Sequence, residues 1–357
     1  AGAVISLKGH VQENEGILIV SANDIVEQKA YELIKEAAED FSWEGAIIGK
    51  KVEQYFPGGY LEVNDKHQIL EVIEKPGEGN EPSDMINLVI HYYRHPQKLL
   101  THLENVSSDR DDKYEVALTS MINEGSPIRA IPYNGLWQAI KYPWHIKKVS
   151  DFLISQRKPS ISKNAVIAKS AVVKGHVIIE DGVRVFENAV IQGPAYIGKN
   201  VVVANNALVR DSHIGDNCVV GYTTEIARSF LGDDVWTHSN YVGDSIIGNN
   251  VSFGAGTVTG NLRLDEKNII VNIKDQRIDC GSPKFGLVTG DRVRVGINTS
   301  FMPGVKVGND SFIGAGVVIS EDIEDGKYVY GQFELKIKDN TSKVNEESRE
   351  QFKKGLK

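Results

Sequence analysis

Cysteine is nearly absent: Cys218 and Cys280 are the two in 357 residues. Two thiols cannot build the disulfide framework of a secreted scaffold, and sparse cysteine fits a reducing compartment. Long apolar runs are missing as well. No stretch reaches the roughly 18 apolar residues that a membrane-spanning helix needs. No leader of the signal-peptide type opens the chain, so a cytoplasmic location is expected. Positive charge is not in excess either. The 40 lysines and arginines face 48 acids, a net charge of −8. Such a chain has no overall field to draw in nucleic acid or an anionic membrane, and neither is expected as a partner.

What the chain does have is a period of six. Nine aliphatic residues sit six apart: Ile161, Ile167, Val173, Ile179, Val185, Ile191, Ile197, Val203 and Val209. Four residues after each of the first eight comes a small or aliphatic side chain, from Ala165 and Ala171 through Ala195 to Ala207. A helix repeats near 3.6 and a plain strand near 2. A strict six is the mark of a parallel β-helix in which three short strands make one triangular coil. Five-residue steps interrupt the pattern near Ile214, Leu231, Val242 and Ile247, and it stops near Asn261 and resumes at Thr289. About 23 hexads, or roughly seven coils, are expected, giving a prism roughly 35 Å tall. Glycine at the second hexad position (Gly198, Gly215, Gly232, Gly248, Gly308, Gly314) fits corners where the backbone needs a conformation free of the side-chain penalty. Cys218 falls on an inward small position, and Cys280 in the non-repeating loop reads as an ordinary thiol.

Residues 1–157 read differently. Strands are expected over 17–21, 46–50, 60–63, 69–73, 86–92 and 128–132, and helices over 26–41, 97–106, 113–123 and 144–156. The alternation argues for an α/β layer fold. Lys158-Pro159-Ser160 ends the last helix and the first hexad follows. No glycine-rich phosphate loop precedes the first strand, so this α/β domain is expected to be N-terminally incomplete. Residues 158–330 form the β-helix. Residues 331–357 are a polar tail in which 345–354 could make a short helix.

Two stretches carry the chemistry. Trp236-Thr-His238-Ser-Asn-Tyr241-Val-Gly-Asp244 is followed by Phe253-Gly-Ala255-Gly-Thr-Val-Thr-Gly-Asn261. With the domain order, they resemble the bifunctional N-acetylglucosamine-1-phosphate uridyltransferase/glucosamine-1-phosphate acetyltransferase family, in its archaeal-type form. The resemblance implies a left-handed β-helix that moves an acetyl group from acetyl-CoA to the amine of an amino-sugar 1-phosphate, in UDP-N-acetylglucosamine biosynthesis. It implies His238 as the base. An imidazole suits proton removal near neutral pH, and the two five-residue steps after His238 mark an irregular coil there. Arg210, Arg228, Tyr241, Asn261 and Lys267 are implied as acceptor-binding residues, since a planar guanidinium fork matches phosphate. Ala255 and Ala315 are implied at the acetyl-CoA groove, where small side chains permit close approach. A homotrimer is implied, with the segment Asn261–Val288 projecting toward a partner chain.

The α/β half carries Asp24, implied as a Mg²⁺ ligand, and Gly59, Glu74, Lys75 and Asn87, implied at a sugar site. There are departures from the family pattern. Ala139 stands where a second metal-ligating residue is expected, and Val89 where a glycine is. In the β-helix, Ala227 replaces a lysine, and Asp211 follows Arg210 in place of proline. Ala139 and Val89, with no phosphate loop in view, set the expectation of a degenerate or truncated nucleotidyltransferase domain that transfers no nucleotide. Two rival readings remain: a nucleotidyltransferase whose β-helix serves only assembly, and a non-catalytic regulatory subunit.

Overall fold

The computed structural model describes residues 1–354 except 13, 275, 333, 345, 346, 348–350 and 352. The helix expected over 345–354 falls largely outside them.

The chain opens with α1 (Gly2–Ile5), β1 (Ile17–Val20), β2 (Asp24–Val26), α2 (Gln28–Ala38), β3 (Gly45–Lys51), β4 (Gly59–Val63), β5 (Ile69–Glu74) and β6 (Met85–Tyr93). Then come α3 (Pro96–Asn105), α4 (Lys113–Asn123), β7 (Ile128–Pro132), β8 (Trp137–Ala139) and α5 (Pro143–Ser155). One sheet runs β5-β4-β6-β3-β7, with β1 also on β6. β3 and β7 are parallel and the other pairs antiparallel. Helices cover both sheet faces. Ile47, Leu61 and Ile128 pack under α3 and α4 on one side; Ile48, Ile86 and Ile90 pack under α2 on the other. This is the expected α/β layering. The expected start of α2 at Val26 gives way to a strand, because Asp24–Val26 pairs with distant β8. Tertiary pairing overrides local propensity there.

From Ser160 the chain winds as a parallel β-helix. Its first face is an eight-stranded sheet running from Ser160–Ile161 through Ala195–Ile197 to Lys306–Val307. Its third face is also eight-stranded, from Val172–Lys174 to Val318–Ile319. The second face is two four-stranded sheets joined by bridges from Trp236 to Val219 and Ser252. The stack is therefore taller than the expected seven coils. Val258–Thr259 pairs despite the interruption, and Ile323 and Tyr328–Val329 continue past the last regular hexad. The hexad residues line the axis: Ile179, Ile197, Val209, Ile214, Ile226, Leu231 and Ile247 are at most 1 % exposed. Truncating one of them to alanine costs about 2–5 kcal/mol. Cys218 is fully buried among them, and burial pushes its thiol up to about 12.

The corners differ in one respect from the sequence reading. Asparagine and aspartate (Asn200, Asn217, Asn250, Asp310) take the left-handed conformation there, not the second-position glycines. Those glycines are needed for contact. A Cβ on Gly215 would lie 2.4 Å from the Gly232 carbonyl oxygen of the next coil.

The non-repeating segment forms the hairpin Ile270–Ile273/Gln276–Asp279. Its apolar residues Ile269, Val271 and Phe285 pack on Ile246, Phe230 and Trp144 of the same chain. These three residues are thus covered by the chain's own surface, while Leu262 and Leu264 of the same segment are exposed. Among the described residues, no helix is long and apolar enough to cross a membrane.

Candidate active sites on the prism and the sheet

The third face of the prism gathers the acceptor candidates. Its strands Leu208–Arg210, Glu225–Ala227 and Tyr241–Gly243 stack in register. The central residue of each points inward, and its neighbours point outward. This gives two outward columns, Leu208–Glu225–Tyr241 and Arg210–Ala227–Gly243. Tyr241 lies along the sheet over Gly243, because a Cβ there would come 2.5 Å from the tyrosine hydroxyl oxygen. That hydroxyl accepts from Asn261 Nδ2 at 3.1 Å, and the same amide donates to the Asp244 carboxylate. The Phe285 amide donates to the Asn261 carbonyl at 3.0 Å and closes the base of the hairpin.

Arg228 stands at the corner beyond this face, turned outward by a left-handed backbone (φ 48°). Its Nε and Nη2 donate to the two oxygens of Asp244 at 2.6 Å each. The fork raises its pKa further above the ordinary guanidinium range. Ala227 is fully buried beside it. Arg210 does not pair with Asp211. It reaches back along the face and donates Nε and Nη2 to Glu225 Oε1 at 2.9 and 2.7 Å. Asp211 instead lines a cleft of about 430 Å³ with Arg228, Asp244, Lys147, Lys148 and Lys284. The three lysines were not singled out in the sequence, since two lie on α5 and one, Lys284, in the non-repeating segment after the hairpin. Lys267 is not with this group. It sits in an exposed turn after Asn261.

His238 occupies the opposite corner of the third face, three residues before Tyr241. Its side chain is exposed, and its backbone amide donates to Asn240 Oδ1. Below this corner the same edge continues through Ala255, Ile297 and Ala315 in successive coils: the Gly256 amide donates to the Ser239 carbonyl, that of Asn298 to Ala255, and that of Gly316 to Ile297. Ala255 and Ala315 are exposed, as is Ile297 at 54 %. The structure thus places the base candidate and the two alanines on one edge. Ile297, between them, stands two residues after Val295 as the alanines stand after Phe253 and Ile313, a shared offset from which the sequence reading could have found it.

In the α/β half, Gly59 and Glu74 face each other across β4 and β5, with Asn87 alongside. A Cβ on Gly59 would lie 3.2 Å from Glu74 Oε2 and 3.5 Å from the Asn87 Cβ. Lys75 lies 3.3 Å from Glu74. Asn87 is held from behind by a buried chain unseen in the sequence. Its Oδ1 contacts His91 Nε2 at 2.7 Å, and His91 Nδ1 contacts the Tyr114 hydroxyl at 2.7 Å. Full burial lowers the His91 pKa to about 3. The ring is therefore neutral, donating from Nε2 to the amide oxygen and accepting from the tyrosine.

Asp24 is the Mg²⁺ ligand candidate of this half. Asp24 Oδ1 already accepts from Trp137 Nε1 at 2.7 Å, and its cross-strand partner Ala139 offers no oxygen on its side chain. Among the described residues, no group of three His, Cys, Asp or Glu side chains could hold a metal ion. Asp24 is thus a single carboxylate candidate, and Mg²⁺ is commonly held by one or two carboxylates together with substrate phosphates.

Comparison with known proteins fits this two-part design. A nucleotidyl transferase family model matches residues 1–140. A hexapeptide repeat of succinyl-transferase matches 176–210, and a bacterial transferase hexapeptide model matches 286–321. The chain is 35 % identical to the bifunctional protein GlmU of Methanocaldococcus jannaschii, over 93 % of this chain and 78 % of that one. The chain belongs to the bifunctional GlmU family. It is 33 % identical to the Methanococcus aeolicus member, over 94 % of this chain and 79 % of that one. It is 35 % identical to a bifunctional sugar-1-phosphate nucleotidylyltransferase/acetyltransferase of Sulfurisphaera tokodaii, over 80 % of this chain and 71 % of that one. The expectation of a degenerate or truncated nucleotidyltransferase domain is thereby corrected: the family model runs through 1–140, across Ala139 and Val89 alike. Two single-residue departures do not outweigh a match that runs from residue 1 to residue 140.

Proposed function

We propose that this chain is a bifunctional transferase of sugar-nucleotide synthesis. Its β-helix acetylates the amine of an amino-sugar 1-phosphate, and its α/β half joins a sugar 1-phosphate to a nucleotide. His238 accepts a proton from the ammonium or the attacking amine. The amine nitrogen bonds to the thioester carbonyl carbon, the carbon–sulfur bond breaks, and CoA leaves as the thiol or thiolate. Asn261 and Tyr241 supply hydrogen bonds to the sugar, and Arg210 with Arg228 supplies positive charge for its phosphate. Acetyl-CoA lies along the edge below His238, where Ala255 and Ala315 leave the backbone approachable. In the α/β half, Glu74, Asn87 and Lys75 bind and orient the sugar.

The observation that carries this reading is the placement of Tyr241. Its ring spans the third face from the His238 corner toward Asn261, so one small polar ligand could meet all three. We further propose a homotrimer, in which a neighbouring prism covers the exposed edge beside His238. Thiol release from acetyl-CoA in the presence of glucosamine 1-phosphate tests the acetyl transfer. No release with either glucosamine or galactosamine 1-phosphate defeats it. Pyrophosphate release from a nucleoside triphosphate and a sugar 1-phosphate tests the second activity.

A further inference from the structure

Helix α5 does not lie flush on the first face of the prism. Its stripe Ile146, Val149, Ser150, Leu153 and Ile154 has helical spacing and faces the outward residues of that sheet across a cavity of about 380 Å³. The floor is a column of rings, Tyr196, His213 and Phe230, on successive strands. Their centroids are 4.8 and 4.5 Å apart and their planes within 14° of parallel. Rings stacked at strand spacing turn their edges toward anything lying over the sheet.

Four of the residues around this cavity are polar: Ser150, Arg157, Tyr196 and His213. Arg157 at one end donates to Glu180 at 2.9 Å. Burial lowers the His213 pKa to about 4, so its ring is neutral. The Ser150 hydroxyl is the one wholly shut off from solvent. Ser150 is 6 % exposed, lines the cavity, and carries the only buried side-chain oxygen or nitrogen without a hydrogen-bond partner among the described residues. A buried hydroxyl left unpaired costs about 1–3 kcal/mol. A partner inside the cavity removes that cost.

We propose that this cavity is a binding site for a flat, uncharged aromatic molecule carrying one hydrogen-bonding substituent. The substituent meets the Ser150 hydroxyl, and the ring presents its face to the edges of Tyr196, His213 and Phe230. The size suits such a ligand, since small-molecule sites begin near about 300 Å³. Edge-to-face contact is the favoured aromatic geometry at these distances. The chemistry is unlike that of the sugar and acetyl sites, which are polar and exposed, and the proposal does not depend on them. Ile140, one residue beyond β8, also lines the cavity, so an occupant touches the segment that carries the cross-strand partner of Asp24.

The test is calorimetric titration of the full chain with 2-naphthol and with naphthalene. Saturable binding of one 2-naphthol per chain is expected, with naphthalene about tenfold weaker, the equivalent of one net hydrogen bond. Ser150→Ala should weaken 2-naphthol about tenfold and leave naphthalene unchanged. Leu153→Trp, at a position already 52 % exposed, should fill the space and abolish both. Absence of saturable binding to the unmodified chain overturns the proposal. So does equal affinity for the two probes, a comparison that needs no variant to fold. Binding that survives Leu153→Trp places the ligand elsewhere and overturns it too.

Discussion

Asp24 and Ala139 face each other directly across the two-stranded β2–β8 ladder. Opposed side chains on such a ladder stand about 4.5–5.5 Å apart at Cβ, near enough for two carboxylates to share one cation. Ala139→Asp should therefore tighten Mg²⁺ binding to the nucleotide-free chain. The readout is the shift in melting temperature with added MgCl₂, expected to be larger for the variant. Equal shifts in both proteins would show that the ladder does not direct these side chains to a common point.

His238→Ala should lower acetyl transfer by about 10²–10⁴, the usual contribution of a general base, while pyrophosphate release in the α/β half stays unchanged. Loss of both activities would mean a folding defect. Loss of neither would remove His238 from the reaction.

Gly243→Ala should act through Tyr241. The added methyl would lie 2.5 Å from the tyrosine hydroxyl oxygen, so the ring must lift and release Asn261. We expect a raised acceptor KM, little change in the KM for acetyl-CoA, and a melting temperature within a few degrees of the parent. A variant with an unaltered acceptor KM would show that Tyr241 need not lie flat to bind sugar.

Acid should destabilise this protein before its carboxylates titrate. Burial lowers His91 to about 3 and His213 to about 4 from an ordinary 6.5. Between pH 6.5 and about 4 the unfolded chain binds both protons and the folded chain neither. Stability is therefore full above 6.5 and falls as pH drops through that window, by up to about 1.4 kcal/mol per pH unit for each histidine. His213→Phe keeps a ring in the stack and removes one proton from the difference. Urea unfolding at pH 6.5, 5.5 and 4.5 should show a shallower pH slope in the variant.

The hexads made the prism legible because each inward residue reports its own burial every six positions. Helix α4 was equally plain, its ends and apolar spacing being local. His238, Tyr241 and Asn261 stood out by their order along the chain. Other features depend on contacts between residues far apart in sequence. The Asp24–Ala139 pairing spans most of the α/β half. The His91 support for Asn87 reads in the sequence as an ordinary strand histidine. The pairing of Arg210 with Glu225, not with adjacent Asp211, follows from coil stacking that neighbouring residues cannot reveal. The coil count fell short because polar Thr259 holds an inward position six residues after Phe253, and because Ile323 follows Ile319 after four residues, not six.

The edge that descends from His238 through Ala255 and Ile297 to Ala315 behaves as a ruler graduated in whole coils. Each mark is one interstrand spacing, about 4.8 Å, and no side-chain change can alter it. Reach along that groove can be adjusted only by inserting or deleting an entire turn of chain. Under the proposed function an extended donor is measured against the backbone itself, and its acyl end arrives at the imidazole only when the number of turns beneath is right.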